Sequence, residues 1–194
     1  MIGGIRIAID RWMRDEHTGL APHIALYLLS ILYGASVRMR ASLFAIGLIK
    51  TKRLPCRVVS IGNLTVGGSG KTPMVMHMAD ILQKKGRRVV ILCRGYKGSA
   101  KGVNAVSDGR TVLLGYKEAG DEPYLLARRL KGVPVVVGRD RYKSGLYAIE
   151  AFSPDVILLD DGFQHIRLAR DVNILLVDSK EGFGNGHLLP RGLL

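Results

Sequence analysis

A chain of 194 residues with 47% hydrophobic side chains can bury one good core but is too short for two large domains. Its formal net charge of +13 exceeds ordinary surface scatter and calls for an anionic partner: nucleic acid, acidic lipid or a phosphorylated substrate. Aromatic residues make up only 6% and nowhere interleave with basic ones as they do in single-strand binders, so no nucleic-acid partner is expected.

Residues 1–53 read as a helical, membrane-associating appendage. No residue from His17 to Val37 is formally charged, and Ile24-Ala-Leu-Tyr-Leu-Leu-Ser-Ile-Leu-Tyr33 is strongly apolar. Arg38 and Arg40 interrupt the run, and a second uncharged stretch ends in Lys50, Lys52 and Arg53. Leu20 to Val37 is at the lower edge of bilayer-spanning length, and Pro22, His23, Ser30 and Gly34 weaken it. The expectation is a helix lying in the membrane interface, with its basic flank facing anionic lipid on the cytoplasmic side. A core helix of a soluble protein is the competing reading. Met1 to Glu16 is long and mixed in charge, and no small-residue cleavage site follows the apolar run, so no cleaved signal peptide is expected.

Residues 54–194 alternate short apolar, β-branched runs with helical patterns, which predicts an α/β domain with a mostly parallel sheet and flanking helices. The predicted strands are Arg57–Ile61, Arg88–Leu92, Val133–Val137, Val156–Leu159 and Asn173–Val177, each apolar enough to be buried on both faces. Helices are predicted over Pro73–Lys85, Glu122–Lys131 and Arg141–Ala151, and Lys97–Gly115 reads as a loop or irregular hairpin. Cys56 and Cys93 stand in separate strand-like runs with no second Cys or His at ligand spacing, and both read as buried thiols of a reducing cytosol.

The segment Val58-Val-Ser-Ile-Gly-Asn-Leu-Thr-Val-Gly-Gly-Ser-Gly-Lys-Thr-Pro73 joins a buried strand, a glycine-rich turn and a helix start. That is the context of a P-loop. Thr65, Val66, Gly67, Gly68, Ser69, Gly70, Lys71 and Thr72 are the candidate nucleotide-binding residues. The glycines let backbone N–H groups converge on phosphate oxygens of ATP, and the helix dipole adds to that attraction. Lys71 would reach the β- and γ-phosphates, and the Thr72 hydroxyl would bind Mg2+. The usual motif opens on Gly where Thr65 stands.

Val156-Ile-Leu-Leu-Asp160-Asp161 is four apolar residues followed by two carboxylates, which places acid beside the metal at the carboxyl edge of the sheet. Asp121 and Glu122 begin a predicted helix. Asp121 is either an ordinary N-cap or the carboxylate that orients an acceptor hydroxyl and takes its proton. Arg94 and Arg141 follow strands and are candidates to hold an anionic substrate. His165, in Gly162-Phe-Gln-His165, is a candidate proton-transfer partner or hydrogen-bond donor.

Five stretches together resemble the tetraacyldisaccharide 4′-kinases of lipid A biosynthesis: Ser60 to Pro73, Arg94-Gly-Tyr96, Gly120-Asp-Glu-Pro123, Leu159-Asp-Asp-Gly-Phe-Gln-His165, and Phe183-Gly-Asn-Gly186 with Leu188-Leu-Pro190. Thr65 at the first loop position is similar to the family pattern. The resemblance implies transfer of the ATP γ-phosphoryl to the 4′-hydroxyl of a tetraacylated glucosamine disaccharide 1-phosphate, on the cytoplasmic face of a Gram-negative inner membrane. It also implies Asp121 as the catalytic base and Glu122 assisting Thr72, Asp160 and Asp161 at Mg2+. Arg94, Tyr96, Arg141, His165 and Arg191 are implied substrate contacts. Family members are longer, with a carboxyl-terminal part that completes the sheet and supplies a histidine working with the aspartate, so the chain reads as a front part. The competing class is a P-loop GTPase or ATPase acting as a switch or metallochaperone, although the guanine reader Asn-Lys-x-Asp does not occur.

Overall fold

The computed structural model describes residues 20–64, 70–180, 182–183, 185–192 and 194, with backbone alone for 20–23. Loop residues Thr65, Val66, Gly67, Gly68 and Ser69 lie outside the described residues, as does the Met1 to Glu16 stretch weighed as a leader. The described residues form two compact units. One gathers residues of 20–50 and 177–194 with Leu64, and the other comprises 51–63 and 70–176. The sequence places 177–194 with the sheet, whereas by contacts these residues group with the first helix.

In the first unit, α1 (Leu20–Ala45) runs for 26 residues, about 39 Å at the standard helical rise. Its stretch Ile24–Ala45 is long and apolar enough to cross a membrane, by length and composition. Ile24, Leu28, Leu29, Ile31 and Leu32 are all at least half exposed. Two serine hydroxyls of the helix are satisfied internally, Ser30 Oγ donating to Tyr27 O at 2.7 Å and Ser36 Oγ to Leu32 O at 2.9 Å. This back-bonding removes the polar cost of an apolar surrounding. The carboxyl-terminal stretch packs on α1, with the His187 ring edge-on to Tyr27 and Leu188 against Gly34.

The second unit is a six-stranded sheet in the order β3-β4-β2-β5-β1-β6. Its strands are β1 (Arg57–Asn63), β2 (Val89–Cys93), β3 (Asn104–Ser107), β4 (Val135–Val137), β5 (Val156–Asp160) and β6 (Val172–Leu176). All neighbours are parallel except β3, which is antiparallel to β4. The helices are α2 (Lys71–Lys84), α3 (Tyr116–Ala119), α4 (Asp121–Arg129) and α5 (Arg141–Phe152). Alternate strand residues serve opposite faces. Ile61, Ile91 and Leu158 pack with Val75 and Ala79 of α2 and Leu126 of α4. Val58, Val90, Leu92, Ile157 and Leu159 pack with Ala148 of α5. Each large side chain so buried contributes about 2 kcal/mol of transfer free energy.

Two expectations change, and one open choice is settled. The run predicted as a strand buried on both faces, Asn173–Val177, is β6 at the edge, where Val172 and Leu175 are exposed. Cys93 is buried, whereas Cys56 is half-buried. Of its two readings the Lys97–Gly115 segment takes the irregular hairpin: β3 turns at Asp108, whose carboxylate accepts from Arg110 N and Thr111 N, and Ser107 pairs antiparallel with Val112.

Strand β5 lies between β1 and β2, so the chain crosses over it on the way from β1 through α2 to β2. Ile61 of β1 is level with Asp160 of β5, which brings the end of the phosphate-loop strand and the acidic strand end side by side.

Candidate active site

Helix α2 begins where the glycine-rich turn ends. Gly70 caps it at φ 74°, in the left-handed region that glycine adopts without strain, and Lys71 and Thr72 are its first residues. The Lys71 ammonium donates to Asn63 Oδ1 at 2.8 Å and lies 3.8 Å from Asp161 Oδ1. Asp161 itself has φ 54°, a conformation Asp tolerates better than most residues, as the chain turns sharply out of β5. The following loop closes over β1 because residue 62 is glycine: a Cβ there would stand 2.9 Å from Phe163 Cβ. Arg170 braces that loop, donating to Gly162 O at 3.2 Å and Phe163 O at 2.7 Å.

A cavity of about 280 Å³ opens at this edge. Lys71, Arg94, Tyr96, Glu122, Asp160 and Asp161 line it, together with Cys93, Gly95 and Pro123. Glu122 arrives there through a close backbone approach: Gly120, at φ 90°, meets Tyr96 O where any other residue would place its Cβ. Gly120, rather than Asp121, holds the cap position of α4, and it provides no side-chain hydrogen bond. The N-cap reading of Asp121 is therefore corrected. Asp121 is the exposed first helical residue, next to Glu122.

Asp160 is 4% exposed, and its carboxyl is pushed up to about 6, first by burial and then by the charges of Glu122 and Asp161. Burial also pushes the Cys93 thiol well up, with the Asp160 charge adding to it, so the thiol keeps its proton and points it at Asp160 Oδ2 across 3.8 Å. Arg141 has a different place from the one expected. It is 3% exposed, outside the cavity lining, and its guanidinium donates to Gly138 O at 2.6 Å and Asp160 O at 3.4 Å. Burial holds its pKa below the ordinary arginine value.

His165 is half-buried and also outside the lining. Burial, and then the Arg141 charge, lowers its pKa and favours the neutral ring. Arg191 belongs to the first unit, where its guanidinium stands 5.3 Å from the Tyr27 ring centroid. Asn63, Cys93 and Arg170 were not among the expected site residues. Asn63 alone had a local signal, as a polar residue ending an apolar strand just before the loop.

The family profile for tetraacyldisaccharide-1-P 4′-kinase matches residues 22–194. The chain belongs to that family. The tetraacyldisaccharide 4′-kinase of Pelobacter propionicus is 53% identical over 166 residues, covering 85% of this chain and 46% of the relative. That of Desulfatibacillum aliphaticivorans is 47% identical over 197 residues, covering 100% of this chain and 53% of the relative. A crystal structure of Aquifex aeolicus LpxK in complex with ATP superposes with a TM-score of 0.81 at 49% identity, covering 89% of this chain and 53% of that one. The α/β fold with a mostly parallel sheet is thus the family's own. The chain spans about half the length of the curated relatives it matches.

Proposed function

We propose that the chain carries the nucleotide- and metal-handling half of an ATP-dependent kinase. Its acceptor is the 4′-hydroxyl of a tetraacylated glucosamine disaccharide 1-phosphate at the cytoplasmic face of a Gram-negative inner membrane. The observation that carries the reading is the meeting of Lys71 with Asp160, Asp161 and Glu122 in one cavity at the carboxyl edge of a parallel sheet.

The donor set fits a hard divalent cation. Three carboxylates face one cavity, and burial first, with the charges of Glu122 and Asp161 added, raises Asp160 to about 6, a cost that a cation offsets. Among the described residues no group of three or more His, Cys, Asp or Glu stands placed to hold a metal ion by itself, so a cation here would need waters and substrate phosphates in its shell, as Mg2+ takes them. Thr72, Asp160, Asp161 and Glu122 would hold it, and when bound it would supply positive charge against that of the phosphates.

The roles of the other residues follow from their places. Thr65 to Gly70 would enclose the phosphates with backbone amides, and Lys71 would draw the γ-phosphoryl toward the acidic strand end. Asp121 would accept the proton of the acceptor hydroxyl as its oxygen bonds to the γ-phosphorus and the bond to the ADP oxygen breaks. Arg94 and Tyr96 would touch the acceptor from the cavity wall, while His165 and Arg191 remain proposed contacts outside that lining. Arg141 acts from beneath, positioning Asp160.

Asp121→Ala separates these roles: ATP affinity by titration calorimetry should stay unchanged while transfer in the full-length protein disappears. Transfer at the wild-type rate would remove Asp121 from the mechanism. For the membrane, the exposed α1 side chains together with the basic residues after them support interfacial binding. Leu28→Ser with Leu32→Ser should cut the partition constant for anionic liposomes, read by co-sedimentation, by on the order of 1000-fold, at about 2 kcal/mol of lost burial each. Unchanged co-sedimentation would refute the anchor.

A further inference from the structure

The two carboxylates at the end of β5 are held in different ways. Asp160 is sealed in the core, whereas the Asp161 side chain is 62% exposed, so packing does not place it. Its position comes from the backbone turn that carries it, and that turn is cramped. Asp161 sits at φ 54°, and Gly162 follows where a Cβ would stand 2.6 Å from Leu159 Cβ and 2.7 Å from Ser60 Oγ. A non-glycine residue in the left-handed region persists only where its surroundings over-determine it.

Arg170 supplies that constraint from across the loop. One guanidinium nitrogen, Nη1, donates to the two carbonyls that follow Asp161, Gly162 O at 3.2 Å and Phe163 O at 2.7 Å. The guanidinium also stands 5.9 Å from the Phe163 ring centroid. Its own base is fixed, because the residues on either side are pinned to the chain that enters β1. Ala169 N donates to Lys52 O and Asp171 N to Val58 O, each at 2.8 Å, and Asp171 Oδ2 accepts in return from Val58 N at 2.8 Å. Leu168, two residues before Arg170, is 1% exposed. A charged donor projecting from so rigid a base loses little further freedom in gripping two successive carbonyls.

We propose that Arg170, which lies outside the cavity lining, is a positioning residue for the metal site: by clamping the Gly162–Phe163 backbone it fixes Asp161 opposite Lys71. The inference rests on the kinase reading, with Asp161 as a Mg2+ ligand. Groups that hold a metal's ligands in place commonly change its affinity by about 10- to 100-fold when removed.

Titration calorimetry of ATP into the chain, with and without Mg2+, tests this. In the wild-type chain Mg2+ should tighten ATP binding by on the order of tenfold or more. Arg170→Met removes the donor and should shrink that gain to about threefold or less, with ATP affinity in the absence of Mg2+ unchanged. Arg170→Lys keeps a cationic donor and should recover most of the gain. Asp161→Asn should shrink the gain as Arg170→Met does, and the double variant no further, because the one residue acts through the other. Arg139→Met is the control, in a neighbouring cavity of about 520 Å³ that shares Arg94 and Gly95 with the first; it removes the same charge and should leave the gain intact. Should Arg170→Met not fold, Arg170→Gln, a shorter neutral donor, takes its place in the cycle. Additive effects in the double variant overturn the inference, as does an equal loss of ATP affinity with and without Mg2+ in the folded Arg170 variant. The same loss of gain in Arg139→Met also overturns it, by showing that charge rather than placement matters. A gain that Asp161→Asn leaves intact refutes it while sparing the kinase reading, and a wild-type chain that binds no ATP refutes both.

Discussion

The cavity around Lys71 and the cavity around Arg139 lie side by side on one sheet edge, yet they are built at different depths and from opposite charge. The first rests on strand ends sealed in the core: Asp160 is 4% and Cys93 2% exposed, and Arg141 sits beneath them at 3%. The second is lined by cations on exposed loops and the first turn of α5. Groups fixed by the core have perturbed protonation and cannot be altered without touching stability. Groups on the loops can be altered with little effect on the fold.

The largest expected effect is Lys71→Ala. It removes the ammonium proposed to meet the phosphates, and ATP affinity should fall by on the order of 100-fold or more by titration calorimetry. Affinity within a few-fold of wild type would mean that the first cavity is not a phosphate site.

Asp160→Asn comes next and should move stability and metal binding in opposite directions. The folded chain holds this carboxyl near 6, above its ordinary 3.8, so between those values the folded state keeps a proton that the unfolded state has lost. The stability contribution of Asp160 is therefore greatest below about 3.8 and declines as pH rises through about 6. At pH 7 the asparagine variant should be more stable by about 3 kcal/mol in denaturant titration, while Mg2+ affinity in the presence of ATP drops. In the wild-type chain, that Mg2+ affinity should weaken as pH falls through about 6, as the carboxyl gains its proton. A destabilised variant would overturn the desolvation account. The smallest effect belongs to the other cavity: Arg139→Ala should change stability by less than about 0.5 kcal/mol, and a larger loss would show that its cations are structural.

The parts of the site carried by local pattern were legible in the sequence. The β1–turn–α2 passage declares itself because strand, glycines and helix start are contiguous, and Asp160 and Asp161 stand out after four apolar residues. Arg141 was misplaced because a charged residue is seldom buried, and only the converging carbonyls of Gly138 and Asp160 make that burial affordable. The sequence could not choose between cap and base for Asp121 because its chemistry suits both, while the φ of 90° that gives the cap position to Gly120 depends on the approach of the Tyr96 loop. Edge and centre look alike in apolar strands: β6 resembles β5 in composition, and the ladder partners that distinguish them are far away in the chain. The stretch around His187 offered no periodic signal for its packing on α1, because that contact joins residues far apart in sequence.

Residues 95–100 and 115–120 are laced together along their backbones. Ser99 N donates to Lys117 O and Ala100 N to Glu118 O, each at 3.0 Å, and Gly120 abuts Tyr96 O. This double seam makes the partition between the two cavities a single mechanical piece carrying Tyr96 on one strip and Glu122 just beyond the other. A molecule that displaces the Tyr96 strip must drag Glu122 and the start of α4 with it, so occupancy on one side is felt on the other.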